Sequence, residues 1–221
     1  MPEASDEAHR IRAYYRDASW AVSPGRHFLV AEWREQIEAM VANLGIGAVS
    51  LRVCDVGCGT GSDLQRWNQL GVPQGQLSGT ELIADRAKAA RRILPEASVE
   101  FVSGFDVPFA DAAFDLVTAS LVFSTVLDPA GRRSLAAEMR RVVAPGGLIA
   151  IYDFRIRKPW NPHVRAVADR DLTAVLGDPW MRVAVSPFLP LLDLALRLPR
   201  PMTRAVLRLL PRTHRIWVWR S

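Results

Sequence analysis

A glycine cluster in the first third of the chain has the residue types and spacing of a loop that approaches a ligand with its backbone. Gly57-Cys58-Gly59-Thr60-Gly61 directly follows the apolar run Leu51–Val56 and directly precedes the helical segment Ser62–Leu70. Glycine removes side chains from the path of the ligand, and the N-terminus of the following helix favours an anionic group. Glu81 comes 20 residues after the last glycine, where an acid can accept hydrogen bonds from ribose hydroxyls. The set predicts a site for a nucleoside-containing ligand.

The spacing of the glycines excludes two other nucleotide loops. A dinucleotide fingerprint would have its third glycine at position 62, where this chain has Ser62. A P-loop requires Gly-Lys-Ser/Thr after its glycines, and none follows here. The segment reads Asp55-Val56-Gly57-Cys58-Gly59-Thr60-Gly61 instead.

A regular alternation of strands and helices positions this loop. The predicted strands are 51–56, 76–82, 99–103, 114–120, 148–154, 181–186 and 214–219, and the predicted helices among them are 62–70, 84–94, 131–143 and 161–176. The strands up to Phe154 are continuously apolar, which indicates that both faces of the sheet are covered. The pattern predicts an α/β fold: a doubly wound, mostly parallel, seven-stranded Rossmann-like sheet.

Helical segments flank this core at both ends. Residues 6–43 are predicted to be helical with an interruption at Ser23-Pro24-Gly25, and residues 188–210 are predicted to be helical but broken by prolines. We therefore expect an N-terminal helical cap over 1–47, a ligand-binding domain over 48–221, and within it a helical insertion over 188–212.

From Leu51 to Phe154 the chain resembles the class I S-adenosylmethionine-dependent methyltransferases, in particular a small-molecule group that includes the quinone-biosynthesis methyltransferases. Five blocks in the family's order carry the resemblance: Asp55–Gly61, Glu81, Val107-Pro108-Phe109, Phe114–Val117 and Arg141–Gly147. The resemblance implies that S-adenosyl-L-methionine is the cofactor and S-adenosyl-L-homocysteine the product. It also implies that the glycine loop holds the methionine end and Glu81 the ribose.

One position departs from the family pattern. Where family members carry an aspartate that reads the adenine amino group, this chain has Ser103. A serine hydroxyl can still accept a hydrogen bond, the amides of Gly104 and Phe105 are adjacent, and Asp106 is a substitute. The resemblance thus implies these cofactor-binding residues: Asp55, Gly57, Cys58, Gly59, Gly61, Glu81, Leu82, Ser103, Gly104, Phe105 and Ser120.

The sequence says less about the acceptor side of the site, that is, about the residues that contact the molecule to be methylated. A general base, if one is used, should come from segments over the carboxyl edge of the sheet, and the candidates there are Tyr15, His27, Asp153 and His163, with Tyr14 beside them. Some relatives have histidines after the fourth strand, where this chain has Ser124-Thr125. We expect methyl transfer to an oxygen, nitrogen or carbon nucleophile of a small apolar or anionic metabolite. An RNA methyltransferase and a non-catalytic cofactor-binding protein are the alternatives.

The net positive charge comes from the C-terminal third. The whole chain carries +5, whereas residues 155–221 hold 13 basic and 4 acidic side chains. Arginines recur at helical spacing at positions 197, 200, 204, 208 and 212, with leucines between them. Three interpretations remain open: a solvated helix face, a membrane-surface or lipid-contacting lid, and RNA binding. RNA binding is the least favoured because no aromatic platform lies among these arginines.

Other features predict a cytoplasmic protein without a metal site. The N-terminal residues are acidic and lack the pattern of a signal peptide. The longest uncharged runs fall short of the roughly 20 residues of a membrane-spanning helix. Cys54 and Cys58 have no second pair that would complete a four-ligand metal site.

Overall fold

Seven strands form one sheet in the computed structural model, which describes residues 6–17, 24–42, 45–158, 160–187 and 189–221. The strands are β1 (Val53–Val56), β2 (Leu77–Glu81), β3 (Ser98–Phe101), β4 (Phe114–Ser120), β5 (Val143–Phe154), β6 (Met181–Pro187) and β7 (Arg212–Arg220). Their order is β3-β2-β1-β4-β5-β7-β6. The first five are parallel, and β7 runs antiparallel to both of its neighbours. The predicted seven-stranded, mostly parallel, Rossmann-like sheet is confirmed.

Helices flank this sheet. They are α1 (Asp6–Asp17), α2 (Pro24–Ala42), α3 (Ser62–Gln69), α4 (Ala84–Ile93), α5 (Pro129–Val142), α6 (Asp169–Leu176), α7 (Leu189–Ala195) and α8 (Arg200–Leu209). All four residues of β1 are buried. Because side chains alternate between the faces of a strand, Val53 joins one hydrophobic cluster with Trp33 of α2, and Cys54 joins a second with Leu135 of α5. The apolar character of the central strands thus reflects two covered faces.

The helix predicted from Asn161 is wrong over its first half. Residues 161–168 form turns and extended backbone, and α6 begins only at Asp169. The amide of Val167 donates to the carbonyl of Phe154 at 2.8 Å, which holds this segment against the end of β5 instead. The carboxylate of Asp171 accepts the Ala168 amide at 3.1 Å, which satisfies a donor at the true start of the helix.

The connection between α5 and β5 also differs from the prediction. The helix begins at Pro129 rather than Gly131, because Asp128 caps it by accepting the amides of Ala130 and Gly131 at 3.1 and 2.9 Å. The strand begins at Val143 rather than after the predicted turn, and its register against β4 shifts between Phe114 and Leu116. The strand pairing is therefore irregular where the Pro-Gly-Gly sequence predicted a turn.

The predicted helical insertion consists of two short helices. Both α7 and α8 lie between β6 and β7. Because β7 is antiparallel to β5 and β6, the insertion leaves and rejoins the sheet at the edge where the parallel strands end. Arg212 belongs to β7 rather than to the insertion, and it pairs with Glu32 of α2 at 3.4 Å. Among the residues that the structure describes, no helix is long and apolar enough to cross a membrane.

Candidate active site

A cavity of about 420 Å³ opens at the carboxyl ends of β1, β2 and β4. Its lining includes the predicted residues Asp55, Gly57, Cys58, Gly59, Glu81, Leu82, Ser120 and Tyr15. It also includes residues that the sequence did not single out as site residues: Ile11, Thr60, Ser62, Asp63, Arg86, Leu121, Val122 and Thr125. The carboxyl edge of a doubly wound sheet is where such folds bind their ligands.

The glycine loop turns sharply between β1 and α3, and all three of its glycines have positive φ: +74° at Gly57, +58° at Gly59 and +84° at Gly61. A Cβ atom on Gly57 would lie 2.6 Å from Cγ2 of Val122, and one on Gly61 would lie 3.1 Å from Cβ of Ala90. A Cβ atom on Gly59 would meet nothing within 4 Å. The outer two glycines thus permit close packing, whereas Gly59 keeps the side that faces the cavity open.

Glu81 lies directly beneath the glycine loop, at the end of β2. One of its carboxylate oxygens accepts the amide of Gly59 at 2.8 Å, and the other accepts the amide of Ile83 at 2.9 Å. Burial raises the pKa of Glu81, and these backbone hydrogen bonds oppose the rise. Each carboxylate oxygen has two lone pairs, and the bonds to Gly59 and Ile83 do not use all four, so the carboxylate can also accept a donor in the cavity.

Two further carboxyl groups line the same cavity. Asp55 is buried and accepts the hydroxyl of Thr118 at 2.7 Å. Burial raises the pKa of Asp55 well above its usual value, and the nearby charge of Asp63 raises it further. Asp63, in the first turn of α3, accepts the guanidinium of Arg34 at 2.6 Å. Because burial and the charge of Asp63 disfavour the carboxylate form of Asp55, a cationic group bound at this end would favour that form.

A second, smaller cavity adjoins the first and shares Gly57, Glu81 and Leu82 with it. Its volume is about 40 Å³, and its lining includes the predicted residues Gly104 and Phe105 together with Asp106. Ser103 lines neither of these two cavities. Gly61, the N-cap residue of α3, also lines neither cavity.

Helix α1 lies across these cavities and is fixed by hydrogen bonds to three strand ends. Arg12 donates to the carbonyls of Leu82, Val102 and Ser103 at 3.0, 3.2 and 2.9 Å. On the same helix, Arg10 donates to the carbonyl of Thr125. Ile11 lines both cavities from above. These contacts make α1 a cover over the site.

Tyr15 is the predicted acceptor-side residue that reaches the main cavity. The guanidinium of Arg86 lies 4.4 Å from the centre of its ring. Desolvation raises the pKa of Tyr15, and the charge of Arg86 opposes the rise. The hydroxyl of Tyr15 is therefore protonated at neutral pH and can donate a hydrogen bond.

Two of the other acceptor-side candidates, His163 and Asp153, do not line the main cavity. His163 is exposed and stacks on Tyr14, with ring centres 4.7 Å apart and planes at 18°. Tyr14 in turn contacts Tyr15 at 5.2 Å between ring centres. His27 lies on α2, and its side chain is outside the described part of the structure.

Asp153 is fully buried at the end of β5 and does not line the main cavity. Its carboxylate accepts the amides of Ser124 and Phe154 at 2.9 and 2.7 Å. Burial raises the pKa of Asp153 to about 6, and these hydrogen bonds oppose the rise. The contacts connect Asp153 to the loop after β4.

That loop begins with a backbone conformation that the sequence did not reveal. Leu121 has φ of +59°, a left-handed conformation that is uncommon for a residue with a side chain. Its amide donates to the carbonyl of Tyr152 at 2.8 Å. The turn presents Leu121 and Val122 to the main cavity. No local pattern signals this conformation, because leucine is not a typical left-handed residue.

Comparison with known proteins agrees with this geometry. A family model described as a methyltransferase domain matches residues 54–151. The ubiquinone/menaquinone biosynthesis C-methyltransferase of Cupriavidus pinatubonensis is 31% identical over 177 residues, which cover 78% of this chain and 67% of that protein. The enzyme of the same name from Cupriavidus taiwanensis is 31% identical over 134 residues, which cover 59% of this chain and 52% of that protein. The chain thus spans about half the length of the second relative.

The fold is also similar to that of a solved structure, the geranyl diphosphate C-methyltransferase from Streptomyces coelicolor A3(2). The TM-score is 0.69 at 15% identity, and the match covers 99% of this chain and 98% of the other. A sheet of this order with a glycine loop and an acid at its carboxyl edge defines the nucleoside-binding class of α/β proteins. The family match and the relatives identify the family: the chain belongs to the class I S-adenosylmethionine-dependent methyltransferases. Its cofactor is S-adenosyl-L-methionine.

Proposed function

We propose that this protein transfers the methyl group of S-adenosylmethionine to an oxygen, nitrogen or carbon nucleophile of a small apolar or anionic metabolite. The observation that carries the proposal is the Glu81 carboxylate, which bonds the amides of Gly59 and Ile83 and also lines the 420 Å³ cavity. This arrangement suits a ribose diol beside the glycine loop.

The chemistry of the donor set fits the cofactor. Asp55 and Asp63 provide carboxyl groups for the ammonium of the methionine part, and the open side of Gly59 admits its backbone close to the loop. Glu81 accepts the ribose hydroxyls. The predicted residues Leu82, Gly104 and Phe105 line the smaller cavity beside Glu81, where an edge of the adenine would lie. The bound cofactor supplies an electrophilic methyl group.

The chain's own residues then orient the acceptor and exclude water. Tyr15 donates a hydrogen bond from the cavity wall, and Arg86 beside it provides a positive charge for an anionic acceptor. Ser120 and Leu121 border the cavity at the end of β4. Some acceptors must lose a proton before they attack the methyl group. Substitution of Tyr15, His27, Asp153 and His163 tests which of these residues removes it.

The names of the relatives support a small-molecule acceptor, because quinone precursors and geranyl diphosphate are small metabolites. They give no support to RNA as the acceptor or to a non-catalytic role. We further propose that the protein acts in the cytoplasm, since Cys54 and Cys58 are both free in the structure.

Titration calorimetry with S-adenosylmethionine tests the cofactor site. In Glu81→Gln one acceptor oxygen becomes an amide group that faces a backbone donor, and we expect the affinity to fall at least tenfold. Glu100→Gln on β3 is the matched control, because Glu100 lies outside both cavities, and its affinity should equal that of the wild type. Equal affinities for all three proteins would refute the proposed ribose contact.

Turnover identifies the acceptor. The wild-type protein is incubated with methyl-labelled cofactor and with lipid, small-molecule or RNA fractions of a cell extract. We expect label in the small-molecule or lipid fraction. Label in the RNA fraction alone would establish the alternative acceptor. Tight cofactor binding without label in any fraction would establish the non-catalytic alternative.

A further inference from the structure

The insertion exposes apolar side chains that a surface helix normally buries. On α7, Leu191 and Leu194 are 41% and 60% exposed, whereas Leu192 and Ala195 pack inward. On α8, Met202 and Leu209 are 54% and 84% exposed. The members of each exposed pair are three or seven residues apart, a spacing that places them on one face of their helix. We call Leu191, Leu194, Met202 and Leu209 the insertion patch.

The insertion is also basic. Residues 189–211 contain four arginines, Arg197, Arg200, Arg204 and Arg208, and a single acid, Asp193. Arg197 is exposed in the turn between the two helices. At 100° per residue, positions 200, 204 and 208 fall on the side of α8 opposite Met202 and Leu209. An apolar face opposite an arginine-bearing face is the pattern of a helix that lies in a membrane interface.

From these observations we infer that the insertion docks on an anionic lipid bilayer, with the insertion patch among the acyl chains and the arginines at the lipid phosphates. Docking of this kind goes beyond the proposed methyl transfer. Charge complementarity selects this partner, since four arginines against one acid attract an anionic surface. A second copy of the chain would bring like charges together. RNA binding would use aromatic stacking, and residues 189–211 contain no aromatic residue.

The position of the insertion connects this surface to the active site. Both of its ends lie at the edge of the sheet where the parallel strands end, which is also the edge that holds the main cavity. Helix α7 packs against α2. Arg34 of α2 in turn bonds Asp63 in the cavity wall. A bilayer under the insertion would therefore lie beside the edge of the sheet that holds the main cavity.

Vesicle flotation of the full chain tests this inference. We expect the wild type to float with vesicles of phosphatidylcholine and phosphatidylglycerol and not with phosphatidylcholine alone. We expect Leu194→Ser combined with Leu209→Ser to lower the partition coefficient at least tenfold. The control is Val49→Ser combined with Ile93→Ser, which removes side chains that are 70% and 44% exposed elsewhere. This control should float like the wild type.

A second set of variants tests the charge. Arg200→Gln, Arg204→Gln and Arg208→Gln together should lower the partition into the anionic vesicles at least tenfold. Its control carries Arg92→Gln, Arg133→Gln and Arg220→Gln, three exposed arginines outside the insertion, and should retain most of the binding.

Further measurements separate this inference from the proposed function. Each variant should keep the thermal midpoint and the S-adenosylmethionine affinity of the wild type, because no altered residue lines either cavity. Absence of wild-type flotation, or equal losses in the insertion variants and their controls, would overturn the inference and leave methyl transfer untouched. Salt-sensitive RNA binding or a dimer that the leucine variants dissociate, without flotation, would also overturn it.

Discussion

The carboxylate of Asp153 accepts a hydrogen bond from the backbone amide of Ser124, 29 residues earlier in the chain, at 2.9 Å. The bond ties the end of β5 to the loop after β4, which contributes Leu121, Val122 and Thr125 to the main cavity. Arg132 on α5 faces the same carboxylate and favours its charge, and it opposes the effect of burial. Asp153 thus holds the backbone of a loop that lines the cavity, without lining the cavity itself.

This contact makes the stability of the protein depend on pH. Burial raises the pKa of Asp153 from 3.8 to about 6, so the folded protein holds this proton more tightly than the unfolded chain. The stability from this group is therefore present in full below about pH 4 and is lost as the pH rises through about 6. In Asp153→Asn this dependence is absent. From pH 4 to pH 7, the unfolding free energy of the wild type minus that of the variant should fall by about 3 kcal/mol.

Urea denaturation at several pH values measures this difference. Asp115→Asn serves as a comparison, since the guanidinium of Arg52 lowers the pKa of Asp115, so its contribution changes in the opposite direction and mainly below about pH 4. A wild-type minus Asp153→Asn difference that stays constant between pH 4 and pH 7 would contradict the assignment.

Gly59 keeps the cavity side of its loop open, so we expect Gly59→Arg to abolish S-adenosylmethionine binding. Gly45→Arg is the matched control, because Gly45 also has positive φ, +70°, and a Cβ atom there would also meet nothing within 4 Å. Both substitutions should lower the unfolding free energy by about 1–2 kcal/mol through backbone strain. Calorimetry should detect lost cofactor binding in Gly59→Arg alone, and retained binding in that variant would refute the role of the loop.

Arg12 fastens α1 over the site through three backbone carbonyls. We expect Arg12→Ala to raise the dissociation rate of the bound cofactor about tenfold, because the loss of these hydrogen bonds lets the helix open more often. Stopped-flow fluorescence measures the rate, and hydrogen exchange of α1 measures the opening. Arg16→Ala on the exposed side of the same helix is the control. Similar rates in the two variants would argue against α1 as a cover.

Arg132 joins α5 to the start of α6 in the protein interior. Its guanidinium bonds Asp171 at 2.5 Å and the carbonyls of Val126 and Arg165 at 2.7 and 3.0 Å. We expect Arg132→Met to lower the unfolding free energy by about 3–5 kcal/mol, because it leaves buried acceptors without a donor. The neighbouring Arg133→Met, at an exposed position, should change it by less than about 0.5 kcal/mol. Denaturant titration decides between these outcomes.

The sheet and the glycine loop could be predicted because their signals are local. Strand β1, which ends at Val56, is buried on both faces and apolar apart from Asp55, and the loop carries glycine at the positions where positive φ and close packing require it. Glu81 could be placed because a parallel strand that follows a crossover helix ends at the same edge. The structure at these residues could be predicted from their neighbours in the sequence.

The remaining features depend on contacts between distant parts of the chain. Helix α6 starts late because Val167 bonds the carbonyl of Phe154. Arg12 reads as an ordinary helical arginine, and only the fold brings it to the carbonyls after β2 and β3. The left-handed backbone of Leu121 depends on a hydrogen bond to the neighbouring strand. Such long-range pairings leave no periodic trace in the sequence.

The antiparallel direction of β7 has a consequence for how this protein can change. Because β6 ends and β7 begins at the same edge, the segment between them leaves and rejoins the sheet at one place. Its length therefore does not alter the register of either strand. A longer or shorter segment can therefore replace residues 189–211 without a shift in the sheet, provided that it also covers the surface that Leu192 and Ala195 bury.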